Sequence, residues 1–194
     1  MLKGLSFIFL SVLALVSCSS SVKKNGVNAQ EQDTVRVQDT HGRQYLVKVG
    51  DPAPNFEMTF PDGKKIELSD LRGKVVMLQF TASWCGVCRK EMPHIEKEIW
   101  QKHKDNPQFA LYGIDREEPA EKIQVLREAT GVTYPIGMDP DAGIFGLYAE
   151  KDAGITRNII IDREGKIVML TRLFEEEEFN EMVSLIDKLL RAMS

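Results

Sequence analysis

The sequence has little of several features that would place it in a specialised class. It contains three cysteines in 194 residues, too few for a disulfide-rich scaffold but enough for one redox pair. Its 25 lysine and arginine residues are outnumbered by 29 acidic residues, so no basic excess indicates a nucleic-acid-binding protein. Apolar residues make up 43% and charged residues 28%, which argues against a disordered or multi-span membrane chain. The composition instead favours one globular domain with short extensions.

The amino terminus has the pattern of a secretory signal. Lys3 precedes an apolar run from Leu5 to Val16, which is shorter than the about 20 residues that a spanning helix needs. The run ends in LVSC, which resembles the bacterial lipobox, where cleavage leaves a lipidated cysteine at the new amino terminus. We therefore expect residues 1–17 to be a lipoprotein signal peptide and Cys18 to be lipidated. The alternative is an uncleaved anchor with an incidental cysteine.

The next segment, residues 18–34, is predicted to be a flexible tether. It is rich in serine, lysine, asparagine and glutamine, and it has too few large apolar side chains to offset the entropy of ordering the chain. One folded domain is expected over residues 35–194. A lipid on Cys18 would hold this domain on a membrane of a bacterial cell envelope, facing the periplasm.

The remaining sequence alternates between strand-length and helix-length patterns. The turn residues around Pro61-Asp62-Gly63-Lys64 predict an N-terminal hairpin, and the apolar run over residues 75–80 predicts a strand buried on both faces. The order of elements predicts an α/β fold in which helices flank a mixed β-sheet, with the hairpin as an extension and one helix inserted after a βαβ unit. Other predicted elements are a hairpin around 40–43, a helix after residue 85 kinked at Pro93, a strand over 109–114, a helix over 119–130 ended by Gly131, strands over 158–162 and 166–171, and a last helix over 175–192.

The motif that carries chemistry is Cys85-Gly86-Val87-Cys88, between the buried strand and the kinked helix. Two cysteines at this spacing can bring their Cα atoms to about 5.5 Å, which suits a disulfide. Backbone donors at the helix start favour the thiolate of Cys85, which we expect to be the exposed nucleophile. Cys88 lies on the apolar stripe of the helix and is expected to be the resolving thiol.

A zinc half-site and a purely structural disulfide would show the same local pattern. Zinc needs four ligands, but the sequence has no second cysteine pair, and its three histidines show no ligand spacing. A structural bridge across so short a loop would stabilise little. We therefore expect no metal, and no cofactor other than a redox-active disulfide between Cys85 and Cys88.

Several segments resemble one family. VVMLQFTASWCGVCRKEMP, residues 75–93, resembles the active-site strand, loop and kinked helix of the thioredoxin fold. Its Arg-x-Glu-x-Pro continuation, the preceding GDPAPNFEMTFPDGKKIELSDLRGK and the later NIIIDREGKIV are similar to the TlpA/ResA branch of extracytoplasmic thiol–disulfide oxidoreductases. The resemblance implies protein or small-molecule disulfide and dithiol substrates, a membrane anchor and a membrane thiol reductant that recharges the enzyme.

The resemblance also assigns residues near the motif. Gln79 stands six residues before Cys85, where thioredoxins carry a buried acid that accepts the proton of the second cysteine. Some members of the branch use a glutamate just after the next strand, and Glu117 matches that place, so we expect it to accept the proton of Cys88. The alternative is a solvated loop charge. Trp84 is expected to shield the disulfide and contact substrates, although simple packing would also explain it.

Thr156 departs from the family pattern. Thioredoxin-like proteins carry a cis-proline opposite the dithiol, and Thr156 stands at that position, so Ile155 and Thr156 are expected to line the substrate site. A cis bond before a residue other than proline costs about 3 kcal/mol, so the Ile155–Thr156 bond is either cis at that cost or the loop is rebuilt in trans. A hydrogen bond from the Thr156 hydroxyl would favour the thiolate of Cys85.

The sequence thus favours a periplasmic, lipid-anchored thiol–disulfide oxidoreductase that reduces protein disulfides through Cys85 and Cys88. Two alternatives are a thioredoxin-fold thiol peroxidase and a non-catalytic tethered module that binds cysteine-containing clients. Peroxiredoxins carry Pro and Thr/Ser where this chain has Leu78 and Ala82, which disfavours the peroxidase.

Overall fold

The computed structural model describes residues 43–192. The predicted signal peptide, Cys18 and the predicted tether lie outside these residues and remain predictions. The hairpin predicted around residues 40–43 also lies mostly outside them. Tyr45, just beyond it, forms an isolated antiparallel bridge with Ala149.

One mixed sheet forms the centre of the fold. Its strands are β1 Glu57–Thr59, β2 Lys65–Glu67, β3 Val75–Thr81, β4 Phe109–Arg116, β5 Ile136–Asp139, β6 Arg157–Ile161 and β7 Ile167–Arg172. The seven strands lie in the order β2-β1-β5-β4-β3-β6-β7. β3, β4 and β5 are parallel, whereas β6 and β7 and the hairpin β1–β2 pair antiparallel. The predicted mixed sheet with an N-terminal hairpin extension is confirmed.

The central strand β3 places the redox motif. All seven of its side chains are buried, as its apolar sequence predicts for a parallel strand covered on both faces. Its neighbours are β4, paired from Val75 with Phe109 to Thr81 with Asp115, and β6. The carboxyl end of β3 therefore lies in the middle of the sheet, where ligand and catalytic sites of α/β proteins commonly form.

The helices follow the predicted order. They are α1 Gly86–Ile95, α2 Gln101–His103, α3 Glu121–Thr130, α4 Phe145–Tyr148 and α5 Glu176–Arg191, with a π-helical segment over Glu96–Trp100 between α1 and α2. Pro93 lies inside α1, and the π-helical segment begins three residues later, at Glu96. The kink at Pro93 remains a prediction. α3 ends at Gly131, whose φ of 73° suits glycine, as predicted. Within residues 43–192, no helix has the length and apolarity to cross a membrane.

Candidate active site

The Cys85–Cys88 disulfide lies where β3 passes into α1. The two Sγ atoms are 2.06 Å apart and the two Cα atoms 5.3 Å apart. Cys85 is the N-cap residue of α1, and its sulfur accepts a hydrogen bond from the backbone N–H of Cys88 at 3.1 Å. Cys85 is 6% exposed and Cys88 0%, so a partner thiol can approach only the sulfur of Cys85. Cys85 is less exposed than the sequence predicted because another loop packs against it.

That loop carries Thr156 at the start of β6. The Thr156 hydroxyl oxygen lies 3.3 Å from Cys85 Sγ and 3.4 Å from Cys88 Sγ. A disulfide sulfur has no proton, so the hydroxyl is the donor in this oxidised state. The Thr156 carbonyl accepts a hydrogen bond from the N–H of Leu173 at 3.1 Å, which fixes the loop against the end of β7. The predicted placement of Thr156 opposite Cys85 is confirmed.

Two exposed apolar side chains belong to residues next to the disulfide and to the Thr156 loop. Trp84, directly before Cys85, is 59% exposed, and Leu173, beside the Thr156 loop, is 41% exposed. Leu173 has a φ of 68°, an uncommon conformation for leucine that is held by its bond to the Thr156 carbonyl. Ile155 is buried, so it shapes the loop more than the surface. Roles for Trp84, Ile155 and Thr156 in substrate binding remain predictions.

A buried glutamate one helical turn beyond Cys88 was missed by the sequence analysis. Glu91 is 1% exposed, and residues three apart on a helix share a face. Its carboxylate accepts hydrogen bonds from Asn158 Nδ2 at 2.6 Å and Gln79 Nε2 at 3.4 Å. Burial raises the pKa of Glu91 to about 7, although both amide hydrogen bonds oppose that shift. The signal in the sequence is a charged residue directly beside the apolar stripe of an amphipathic helix.

Gln79, which stands where thioredoxins carry a buried acid, is hydrogen-bonded to Glu91. The Tyr134 hydroxyl donates to Gln79 Oε1 at 2.6 Å, which turns the amide nitrogen of Gln79 toward Glu91. Asn158 Nδ2 also donates to Thr171 Oγ1 at 2.9 Å. The structure therefore has a buried acid on α1, while the central-strand position where thioredoxins carry one holds Gln79.

The structure gives Glu117 no contact with the dithiol among residues 43–192. Its side chain is exposed, and its carboxylate accepts a hydrogen bond from Arg116 Nε at 2.7 Å. Its backbone is left-handed, with φ 59°, and its N–H donates to the Asp139 carbonyl at 2.9 Å. The role of Glu117 as proton acceptor stays a prediction with no contact to support it.

Two neighbouring acids, Asp115 and Glu118, lie close to the loop that leads into Cys85. The carboxylate of Glu118 accepts hydrogen bonds from the N–H and the hydroxyl of Ser83, at 2.5 and 2.6 Å. Asp115 is fully buried at the end of β4. Burial, followed by the negative charge of Glu118, raises the pKa of Asp115 to about 7. Within the described part of the chain, no three histidine, cysteine or acidic side chains form a metal-binding group.

A disulfide of this spacing, between a central parallel strand and the start of a helix, is characteristic of the thioredoxin-fold thiol–disulfide oxidoreductases. Comparison with known proteins places this chain among them. The sequence profile described as the AhpC/TSA family matches residues 49–170, and the chain belongs to this family.

Curated relatives and solved structures agree with this class. The thiol-disulfide oxidoreductase ResA of Bacillus anthracis is 34% identical over 122 residues, which cover 63% of this chain and 68% of that protein. ResA of Bacillus subtilis (strain 168) is 30% identical over 141 residues, covering 72% and 76%. A solution structure from Bacteroides thetaiotaomicron is 65% identical, covers 76% of this chain and 93% of its own, and superposes with a TM-score of 0.74. The protein is a thiol–disulfide oxidoreductase of the thioredoxin fold, and Cys85–Cys88 is its CxxC motif.

Proposed function

We propose that this protein reduces disulfides of protein or small-molecule partners outside the cytoplasm, with Cys85 as attacking thiolate and Cys88 as resolving thiol. The observation that carries the proposal is the difference between the two sulfurs. Only Cys85 has surface exposure, and its sulfur accepts a hydrogen bond from the first turn of α1. Donors at this position favour the thiolate, which is the reactive species.

The reaction is two successive thiol–disulfide exchanges. The Cys85 thiolate attacks one sulfur of the partner disulfide, and the other sulfur leaves as a thiolate, which gives a mixed disulfide. Cys88 then loses its proton and attacks Cys85 Sγ, so the partner leaves as a dithiol and the enzyme is left oxidised. Two electrons pass to the partner, and a membrane thiol reductant would restore the Cys85–Cys88 dithiol by the reverse exchange.

Glu91 is the proposed proton acceptor for Cys88. It lies on the same buried helix face, and its raised pKa of about 7 suits a base that works near neutral pH. Asn158 and Gln79 hold the carboxylate in place through their amide nitrogens. Glu117 remains the second candidate, and the variants Glu91→Gln and Glu117→Gln separate the two.

The proposed location is a lipid anchor at Cys18 on the periplasmic side of a membrane. The support is the LVSC motif after a short apolar run, together with the resemblance to tethered members of the TlpA/ResA branch. An anchored domain would meet both periplasmic clients and a membrane-bound reductant.

The test is a trapping experiment on the full chain. Cys88→Ser should accumulate mixed disulfides through Cys85, because the resolving step is lost, and the Cys85→Ser variant is the matched control that should accumulate none. Turnover of a small disulfide should stop in both variants. Equal trapping by the two variants would overturn the assignment, while undiminished turnover in Cys85→Ser would overturn the proposed chemistry.

The same experiment separates the alternative functions. A thiol peroxidase would consume hydrogen peroxide at a rate that depends on Cys85, and a binding module would retain cysteine-containing clients in Cys85→Ser. Titration of the dithiol against glutathione gives the reduction potential. A potential well above that of the glutathione pool would identify an oxidant and overturn the proposed direction of electron flow.

A further inference from the structure

The loop from Ala82 to Cys85 joins β3 to α1 and sets the position of the nucleophile. The Cys85 N–H donates to the Ala82 carbonyl at 3.1 Å, which closes a tight turn. Ser83 lies inside this turn, and both its backbone N–H and its hydroxyl donate to the carboxylate of Glu118. Glu118 thus fixes the turn that delivers Cys85 to the start of the helix.

Asp115 is a buried acid beside Glu118, and no other partner for its carboxyl group lies within residues 43–192. It is the cross-strand neighbour of Thr81, the last residue of β3, and it is 0% exposed. Neither of its carboxyl oxygens receives a hydrogen bond from a donor in residues 43–192, and the neighbouring group that acts on it is the carboxyl of Glu118. An ionised carboxylate in such a place is costly, and two carboxyl groups can bond only when one carries a proton.

The other charged groups on the neighbouring elements either have hydrogen-bond partners of their own or are exposed. Arg116 directs its guanidinium to the carbonyls of Ala153 and Lys151, and its Nε to Glu117. Asp139, on the adjacent strand β5, accepts hydrogen bonds from two backbone N–H groups at the start of α4. At the start of α3, the charged side chains Glu121 and Lys122 are exposed.

We propose that Asp115 and Glu118 share one proton, and that this pair positions the loop carrying Cys85. Both are positioning residues, since neither contacts the sulfurs. The inference rests on the proposed function in one respect, the role of Cys85 as nucleophile. Loss of the shared proton would place two negative charges side by side. Glu118 would then release Ser83, and Cys85 would lose its fixed position.

The first test compares rates of Cys85 alkylation in the reduced full chain and in Asp115→Asn. The asparagine amide can donate to Glu118 without titrating, so it mimics the protonated acid. The wild-type rate divided by the variant rate should be about 1 at about pH 6 and should fall by about threefold by about pH 9. Asp105→Asn, at an exposed loop position, is the matched control and should follow the wild type. A ratio that does not change with pH overturns the proposal.

The second test needs no redox activity. Glu91, whose pKa is also raised to about 7, loses a carboxylic-acid proton over this range in every chain, so the test is a comparison between chains. Infrared difference spectra between about pH 6 and about pH 9 should show one protonated carboxylic acid more lost in the wild type than in Asp115→Asn or Glu118→Gln. Equal losses in the wild type and both variants overturn the shared proton. The additional loss in a wild type that exchanges no disulfides would instead leave the pair intact and overturn the proposed function.

Discussion

Thr156 brings a hydroxyl against both sulfurs of the redox pair, at a position where the family pattern has proline. The resemblance to the thioredoxin-like family implied its place opposite Cys85, and the hydroxyl also reaches Cys88. Position along the chain indicates which loop faces the motif, whereas a contact shared by two sulfurs depends on how β6 and α1 pack. The contact between the Thr156 hydroxyl and Cys88 could therefore not be predicted from the sequence.

The Thr156→Val variant should weaken the nucleophile while preserving side-chain shape. In the reduced protein the hydroxyl can donate to the Cys85 thiolate, so its loss should raise the pKa of Cys85 and lower the thiolate fraction at neutral pH by up to about tenfold. Thiolate absorbance or alkylation rate against pH measures the change. Thr59→Val, in strand β1 of the N-terminal hairpin, is the control and should leave the curve unmoved. An unchanged Cys85 pKa in Thr156→Val would rule out the hydrogen bond to the thiolate.

Glu91 should make the stability of the fold depend on pH. Its pKa is raised from 4.5 to about 7 in the folded chain, so folding favours its protonated form. The associated stabilisation, about 3 kcal/mol, is present below about pH 4.5 and is lost as pH rises through about 7. The Glu91→Gln variant should lose this component.

Urea unfolding of wild type and Glu91→Gln between about pH 5 and about pH 8 measures the effect. Over this range the wild type should lose more stability than the variant. Glu117→Gln, at an exposed position, should keep the wild-type dependence. Identical pH dependence in wild type and Glu91→Gln would mean that Glu91 is ionised throughout the range. It would then lose its support as the base for Cys88.

At the scale of elements, the sequence predicted those strands, turns and helix ends that their own residues specify. The apolar run of β3, the turn residues of the β1–β2 hairpin and Gly131 at the end of α3 each specify an element without help from the rest of the chain. The attachment of that hairpin to the sheet was not predictable, because β1 joins the sheet through one residue pair, Thr59 with Met138. Pairings between segments so distant in sequence leave no periodic signal.

The docking of this hairpin predicts a cost for Gly137→Ala. A Cβ at Gly137 would lie 2.3 Å from the sulfur of Met58, a fully buried side chain of β1. Overpacking of this kind costs about 1–3 kcal/mol, which urea unfolding can resolve. Gly146→Ala in α4, where the added Cβ meets only the side chain of Lys151, should be neutral or slightly stabilising. Equal stability of Gly137→Ala and wild type would show that Met58 moves freely.

At the scale of the whole molecule, the proposed anchor determines where the chemistry takes place. Cys18→Ser should remove the lipidation site and shift the protein from the membrane fraction to the soluble or uncleaved precursor pool. Fractionation followed by intact-mass analysis measures both outcomes. Ser19→Ala is the adjacent control and should remain in the membrane fraction. A native protein without acyl mass on Cys18 would contradict the anchor.

The full burial of Cys88 also determines how the protein survives damage to its reactive sulfur. In the proposed cycle, a small thiol attached to Cys85 would leave Cys88 untouched and adjacent, so the internal attack that completes the cycle would also expel the unwanted adduct. An alkyl group offers no sulfur to displace, and the same geometry then makes the inactivation permanent. In that cycle, the chemistry of the adduct alone decides whether the protein returns to its ordinary disulfide state or stays blocked at Cys85.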